Sequence, residues 1–236
     1  MGEGQGKKYL LYAVGEILLV MIGILLALQV NNWNEFRKKS NQERELLVAL
    51  RSELLSDLED LNSSEVYQQM SKNSTEIIID QLENKRPFHD SLNYHFSLST
   101  YIWFPTPTGS VFESIKSSDV NLISNANLRD TMVMTYGRII PWQMNQGERF
   151  SQHMTHAIRY IFNTRFEDVW NTDYLDLDGS KMVPLDYEAL LDDQEYLYFI
   201  KSLPNFQYYY LDIPTETLKV LFTRMIALID AELEKT

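Results

Sequence analysis

The chain has 236 residues, of which 44% are hydrophobic and none is cysteine, and its formal net charge is −12. That is enough for one sizeable folded domain, and it excludes disulfides, thiol catalysis, Fe–S clusters and thiolate zinc sites. Residues 1–39 carry five Lys/Arg against three Glu, so the remainder carries −14, which disfavours nucleic acid as a partner.

After a polar tail at 1–8, residues 9–30 (YLLYAVGEILLVMIGILLALQV) form an apolar run with a single charge, Glu16. At about 1.5 Å of rise per residue, 22 residues reach about 33 Å, close to the ~30 Å hydrocarbon core of a bilayer. Tyr9 and Tyr12 at one end and Trp33 at the other match interfacial aromatic belts. No A-x-A cleavage site follows, so an uncleaved transmembrane helix is expected rather than a signal peptide. At 100° per residue, Glu16, Gly23, Ala27 and Asn34 fall within about 20° of one line. Gly23 and Ala27 make a small-xxx-small pair, and a carboxylate inside the membrane is costly unless it faces protein or water. This face is therefore predicted to meet partner helices, by self-association or with other spans.

Residues 31–84 are predicted to form a juxtamembrane helical hairpin. Its first arm, about Glu35 to Asn62, carries Leu47, Leu50, Leu54, Leu58 and Leu61 at helical spacing. Asp57 occupies the seam position between Leu54 and Leu61, which favours packing in a bundle over a two-stranded coiled coil. The second arm, about Ser64 to Leu82, ends at Asn84, Lys85, Arg86 and Pro87. Residues 85–236 read as a helical domain. Ser110 and Glu113 form a capping-box pattern before a short helix, and Asn125 or Asn127 can cap the next. Pro141 should kink or restart that helix, and Phe150 to Trp170 continues in helical style. Asp173 to Pro184 reads as a loop or small hairpin turning at Asp178-Gly179. Pro184 to Leu203 reads as helix ending before Pro204. Thr215 to Glu234 is the last helix, with Leu218, Phe222, Met225, Ile229 and Leu233 on one face. The fold class is all-α.

Chemistry-bearing patterns are sparse. Asp176, Asp178 and Gly179 resemble the centre of a calcium loop, but Tyr174 and Leu185 stand where its first and twelfth ligands belong. His153 and His156 share a helical face, with Glu148 or Glu167 as conceivable further ligands, and two histidines specify no metal. No nucleophile elbow, Walker loop or dinucleotide fingerprint occurs, so no enzyme, catalytic residue, cofactor or metal is expected. Two aromatic segments, Tyr101 to Phe104 and Phe206 to Tyr210, are candidates to line a ligand pocket.

The run KKYLLYAVGEILLVMIGILLALQVNNWNEFRKK, Lys7 to Lys39, resembles the N-terminal signature of an uncharacterised bacterial family. Its members are single-span, membrane-anchored proteins abundant in Bacteroidota, with a domain of unknown function. A looser likeness covers Phe112 to Tyr136, where Asp119 stands in place of a usual glycine. The resemblance implies a membrane location and no known activity or cofactor. Flanking Lys and Arg tip the domain narrowly toward the cytoplasm. Similar proteins carry a longer basic arm before the span, which implies an inner-membrane anchor with the domain in the periplasm. The expected role is an oligomeric scaffold or interaction subunit. The alternatives are a ligand-sensing domain and an ion-responsive subunit acting through Glu16.

Overall fold

The computed structural model describes residues 3–101, 103–169 and 180–235, and these form an all-α architecture without a β-strand among them. Helix α1 runs from Glu3 to Glu83, 81 residues without interruption, or about 120 Å. The remaining helices pack along its second half. They are α2 (Ser91–Ser99), α3 (Ser110–Ser118), α4 (Ala126–Met134), α5 (Ile140–Tyr160), α6 (Tyr187–Leu191), α7 (Gln194–Gln207) and α8 (Ile213–Leu233). α1 makes its most extensive contacts with α2, α8 and α7.

The continuity of α1 corrects two expectations. The tail expected over 1–8 is helical from Glu3, and the antiparallel hairpin expected over 31–84 does not form. The polar run after Leu61 looks like a break but belongs to the buried face. Ser64, Gln68, Ser71, Ser74 and Thr75 are all buried. Ser64 Oγ donates to the Leu61 carbonyl at 2.8 Å and Thr75 Oγ1 to the Ser71 carbonyl at 2.9 Å. Gln68 Nε2 donates to the Trp103 carbonyl, and Gln207 Nε2 of α7 donates to Ser71 Oγ at 2.9 Å. Buried polar groups are tolerated when each finds such a partner, so the helix passes through.

This belt separates two hydrophobic cores. The proximal core, nearer the apolar end of α1, gathers Leu47, Leu50, Leu54 and Leu61 with Phe112, Ile115, Leu128 and Met132. From α8 it takes Leu218, Phe222, Met225 and Ile229. The distal core gathers Ile78 and Leu82 with an aromatic cluster of Phe96, Phe150, Phe162, Phe166, Tyr196 and Phe199. Within it, the Phe162 and Phe199 rings meet edge to face at 5.3 Å.

Two π-helical segments join consecutive helices. Thr135–Ile139 links α4 to α5, and Tyr208–Asp212 links α7 to α8. Each precedes an Ile-Pro pair, Ile140-Pro141 and Ile213-Pro214. A proline has no N–H to donate and clashes with the carbonyl four residues back. Widening the preceding turn by one residue relieves that clash, and the Ile140 and Ile213 N–H groups reach Thr135 and Tyr208 carbonyls instead. The kink or restart expected at Pro141 is thus a widened turn in a continuing helix.

Other boundaries shift. Asn125 caps α4, its Oδ1 accepting from the Leu128 N–H at 3.1 Å. α5 ends at Tyr160, and the helical style expected to Trp170 gives way to a 3-10 turn at Phe162–Thr164 and a bridge between Phe166 and Pro184. α7 runs through Pro204 to Gln207, held on the core by buried Leu203 and Gln207. The turn at Asp178-Gly179, with Asp176, lies outside the described residues.

Candidate functional site

The sequence points first to the apolar end of α1. From Gly15 to Trp33 every residue is exposed, and a methyl added at Gly23 would meet nothing within 4 Å. The helix is long and apolar enough to cross a membrane. Glu16 sits beside a shallow depression formed with Ile17, Val20, Met21 and Ile24. Glu16, Gly23 and Ala27 are exposed and Asn34 is half-buried, so three of the four residues of the line stand clear of the fold. Trp33 is 62% exposed, with the Arg37 guanidinium 5.5 Å from its ring centroid. The side chains of Tyr9 and Tyr12 lie outside the described part.

Just beyond, a cleft of about 440 Å³ opens between Phe36–Leu47 of α1, the turn at 119–124 and the end of α8. Several of its charges are engaged locally. Glu43 accepts from the Ser124 N–H and hydroxyl at 2.7 and 2.8 Å, Glu232 pairs with Lys235, and Arg44 donates to the Leu233 carbonyl. Asp119 has extended backbone and caps the 3-10 turn by accepting from the Asn121 N–H at 2.9 Å. No left-handed residue is needed there, so nothing in the backbone calls for a glycine.

Along α1, two carboxylates seize the loop Pro105 to Gly109. Asp57 is buried and accepts from the Thr108 N–H at 3.1 Å and the Thr108 hydroxyl at 2.8 Å. Glu53 accepts from the Ser110 hydroxyl and the Val111 N–H, so the expected capping box is replaced by a carboxylate from another helix. Gly109 takes a left-handed conformation, φ 67°, with the Tyr136 ring 3.5 Å from where its Cβ would lie. Tyr136 in turn stacks on Phe112 at 4.5 Å. Burial raises the Asp57 pKa against the lowering by Thr108, and Glu53 and Asp60 add to the rise. Burial also pushes the Tyr136 phenol well above its ordinary range, so it stays a neutral hydroxyl. The seam interruption at Asp57 was the sequence signal for this latch. Its partner Thr108 is 51 residues away and carries no signal of its own.

The second aromatic segment does line a groove. Trp142 and Gln146 of α5 face Asn205, Phe206, Tyr209, Tyr210 and Ile213 across about 420 Å³. Behind it Phe199, His153, Phe206 and Tyr210 form a continuous stack, with ring centroids 5.2, 4.0 and 5.6 Å apart. His153 Nε2 is buried without a hydrogen-bond partner among the described residues. Burial, then the nearby His156, lowers its pKa and keeps it neutral. The first segment goes elsewhere: Trp103 packs on Tyr67, and Phe104 presses on Gly147, where a Cβ would come within 2.0 Å of the ring. Among the described residues, the first segment therefore does not line this groove.

His153 and His156 do not converge either, since His156 meets the Tyr160 ring at a tilt of 42° and Glu148 bonds to Gln152. Among the described residues no group of three His, Cys, Asp or Glu side chains is placed to hold a metal.

A helical bundle built on one long helix, whose apolar end lies free of the fold, is the class defined by this geometry. The chain belongs to a family of unknown function, DUF6090, whose model matches residues 16–183. That match begins at Glu16, takes in residues of both cores and ends before α6, α7 and α8. No curated protein and no solved structure matches the chain.

Proposed function

We propose that the protein is a non-catalytic, single-span interaction subunit of the bacterial inner membrane, with its helical domain in the periplasm. One observation carries the reading: nineteen consecutive residues, Gly15 to Trp33, stand exposed on the same unbroken helix that forms the spine of both cores. In water that much contiguous apolar surface would drive aggregation, whereas a bilayer accommodates it. Glu16 is poorly suited to acyl tails, and with Gly23 and Ala27 it offers a face that a second span can cover. The resemblance of Lys7 to Lys39 to envelope anchors supports the location.

The test uses the full-length chain in native membranes. Because the protein has no cysteine, Ala27→Cys gives one unambiguous crosslinking site. A crosslinked dimer and an oligomeric native mass in mild detergent are expected, both reduced by Gly23→Leu. A strictly monomeric, partner-free species would overturn the reading, and a C-terminal reporter fusion decides the side.

A second reading, ligand sensing, is favoured by the groove at Trp142. Its lining combines aromatic faces with the Gln146 and Asn205 amides and holds no charged group, which suits an uncharged ring-bearing ligand. Quenching of the Trp142 fluorescence on ligand addition, abolished by Tyr209→Ala, is the expected result.

A further inference from the structure

We infer that the outward face of α1 within the folded domain is the contact surface for a second copy of this chain, lying parallel to the first up to Ile77. The inference rests on the self-association reading and extends it from the span into the domain. Beyond Phe36, the large apolar side chains that α1 leaves exposed are Val48, Leu55, Val66 and Ile77, at 51, 43, 59 and 42% exposure. At 100° per residue all four fall within about 20° of one line. The buried residues Leu50, Leu54, Leu61, Thr75, Ile78 and Leu82 lie on the opposite side of the helix. Singly scattered apolar residues are ordinary on a protein surface, but alignment of the whole set over 29 residues is not.

The membrane identifies the occupant. Two copies inserted with the same topology are necessarily parallel. Once their spans meet at Gly23 and Ala27, the unbroken α1 carries both domains out side by side, with no hinge to turn them apart. The spacing agrees. Leu55, Val66 and Ile77 are 11 residues apart, a period that winds paired helices gently to the right and keeps one face in contact along their length. In a two-fold pair each residue on the axis-facing line meets its own copy. Asn62, exposed and within about 40° of the line, would meet Asn62 of the other copy. Each amide both donates and accepts, and a polar residue in an apolar seam fixes register. Glu59 also lies on this face and repels its counterpart, so the contact is held by Leu55 on one side of it and by Val66 and Ile77 on the other.

Single cysteines at Leu55, Val66 and Ile77 test this in full-length protein in native membranes, with the still more exposed Tyr198→Cys on α7 and Val220→Cys on α8 as controls. Oxidation should give at least fivefold more crosslinked dimer at the three α1 sites than at either control. Ala27→Cys reports on the spans independently. Crosslinking there, with the three domain sites at control level, would sink this surface and leave span pairing standing; failure at all four sites removes both. The Leu55→Glu/Val66→Glu double variant should keep its thermal unfolding and lower the dimer fraction severalfold, and an unchanged dimer fraction would overturn the inference.

Discussion

The proximal and distal halves of the bundle hang on the same helix yet handle an aspartate withdrawn from water, fully for Asp57 and partly for Asp193, in opposite ways. In the distal half, Asp193 receives Arg165 through both of its oxygens, Nε at 2.6 Å and Nη2 at 3.1 Å, while its Oδ1 also caps α7 through the Glu195 and Tyr196 N–H groups. Burial raises its pKa, but Arg165 and the cap outweigh that and hold it below the usual carboxylate range. In the proximal half, the hydrogen bonds to Asp57 among the described residues come from Thr108, with Glu53 and Asp60 nearby, and its pKa rises. A matched cation turns a buried carboxylate into a fastening that needs its charge. Without one, the same group is a polar anchor that works against its charge.

The separation of the cores by the α1 polar belt is the first thing to break. Phe162 lies fully buried in the distal aromatic cluster, and Phe162→Ala should cost about 3–5 kcal/mol of that core's stability. Amide exchange should then rise in α6 and α7 while α3, α4 and α8 stay protected. Uniform loss of protection would mean that the belt couples the cores into one cooperative unit. Next in size is Asp193→Ala, which removes a cap worth about 1 kcal/mol. It also strips a partly buried guanidinium of a charged hydrogen bond, about 1.5–3 kcal/mol more. Because the folded pKa is depressed, the contribution of Asp193 is present above the ordinary carboxylate value and is lost as pH falls through the folded one. Urea midpoints measured from pH 7 to pH 3 should therefore converge between wild type and Asp193→Ala at the acid end.

Much of this was legible in the residues. The apolar run, the leucine stripe on α1 and the face of α8 follow from local period and composition and appear where the pattern put them, and of the two caps the pattern allowed, Asn125 and Asn127, the structure uses Asn125. The belt was not legible, because Ser64, Gln68 and Ser71 look solvated until Trp103, Ser99 and Gln207 arrive from distant parts of the chain. The π-helical segments were signalled only by their prolines, since a widened turn and a kink share one cause. Of the candidate sites, Glu16, Gly23, Ala27 and Asn34 could be placed on one line by arithmetic. The groove needed Trp142 from one helix and Tyr209 from another to come together.

The smallest effect is the sharpest discriminator between the two aspartates. Asp57→Asn keeps an oxygen for the Thr108 N–H and hydroxyl and removes a charge that the site disfavours. At neutral pH its effect on stability should stay within about 1 kcal/mol, as expected when a buried hydrogen bond is preserved. The pH dependence carries the information. A carboxylate whose folded pKa lies above its unfolded value takes up its proton more readily when folded, so its contribution is complete below the unfolded pKa. It fades as pH rises through the folded one. Wild type should lose stability relative to Asp57→Asn across that interval, the reverse of the Asp193 case. Urea titrations of both proteins read the difference directly. If Asp57→Asn instead loses ground as pH rises, the carboxylate is helped by its charge, and the contrast between the two halves disappears.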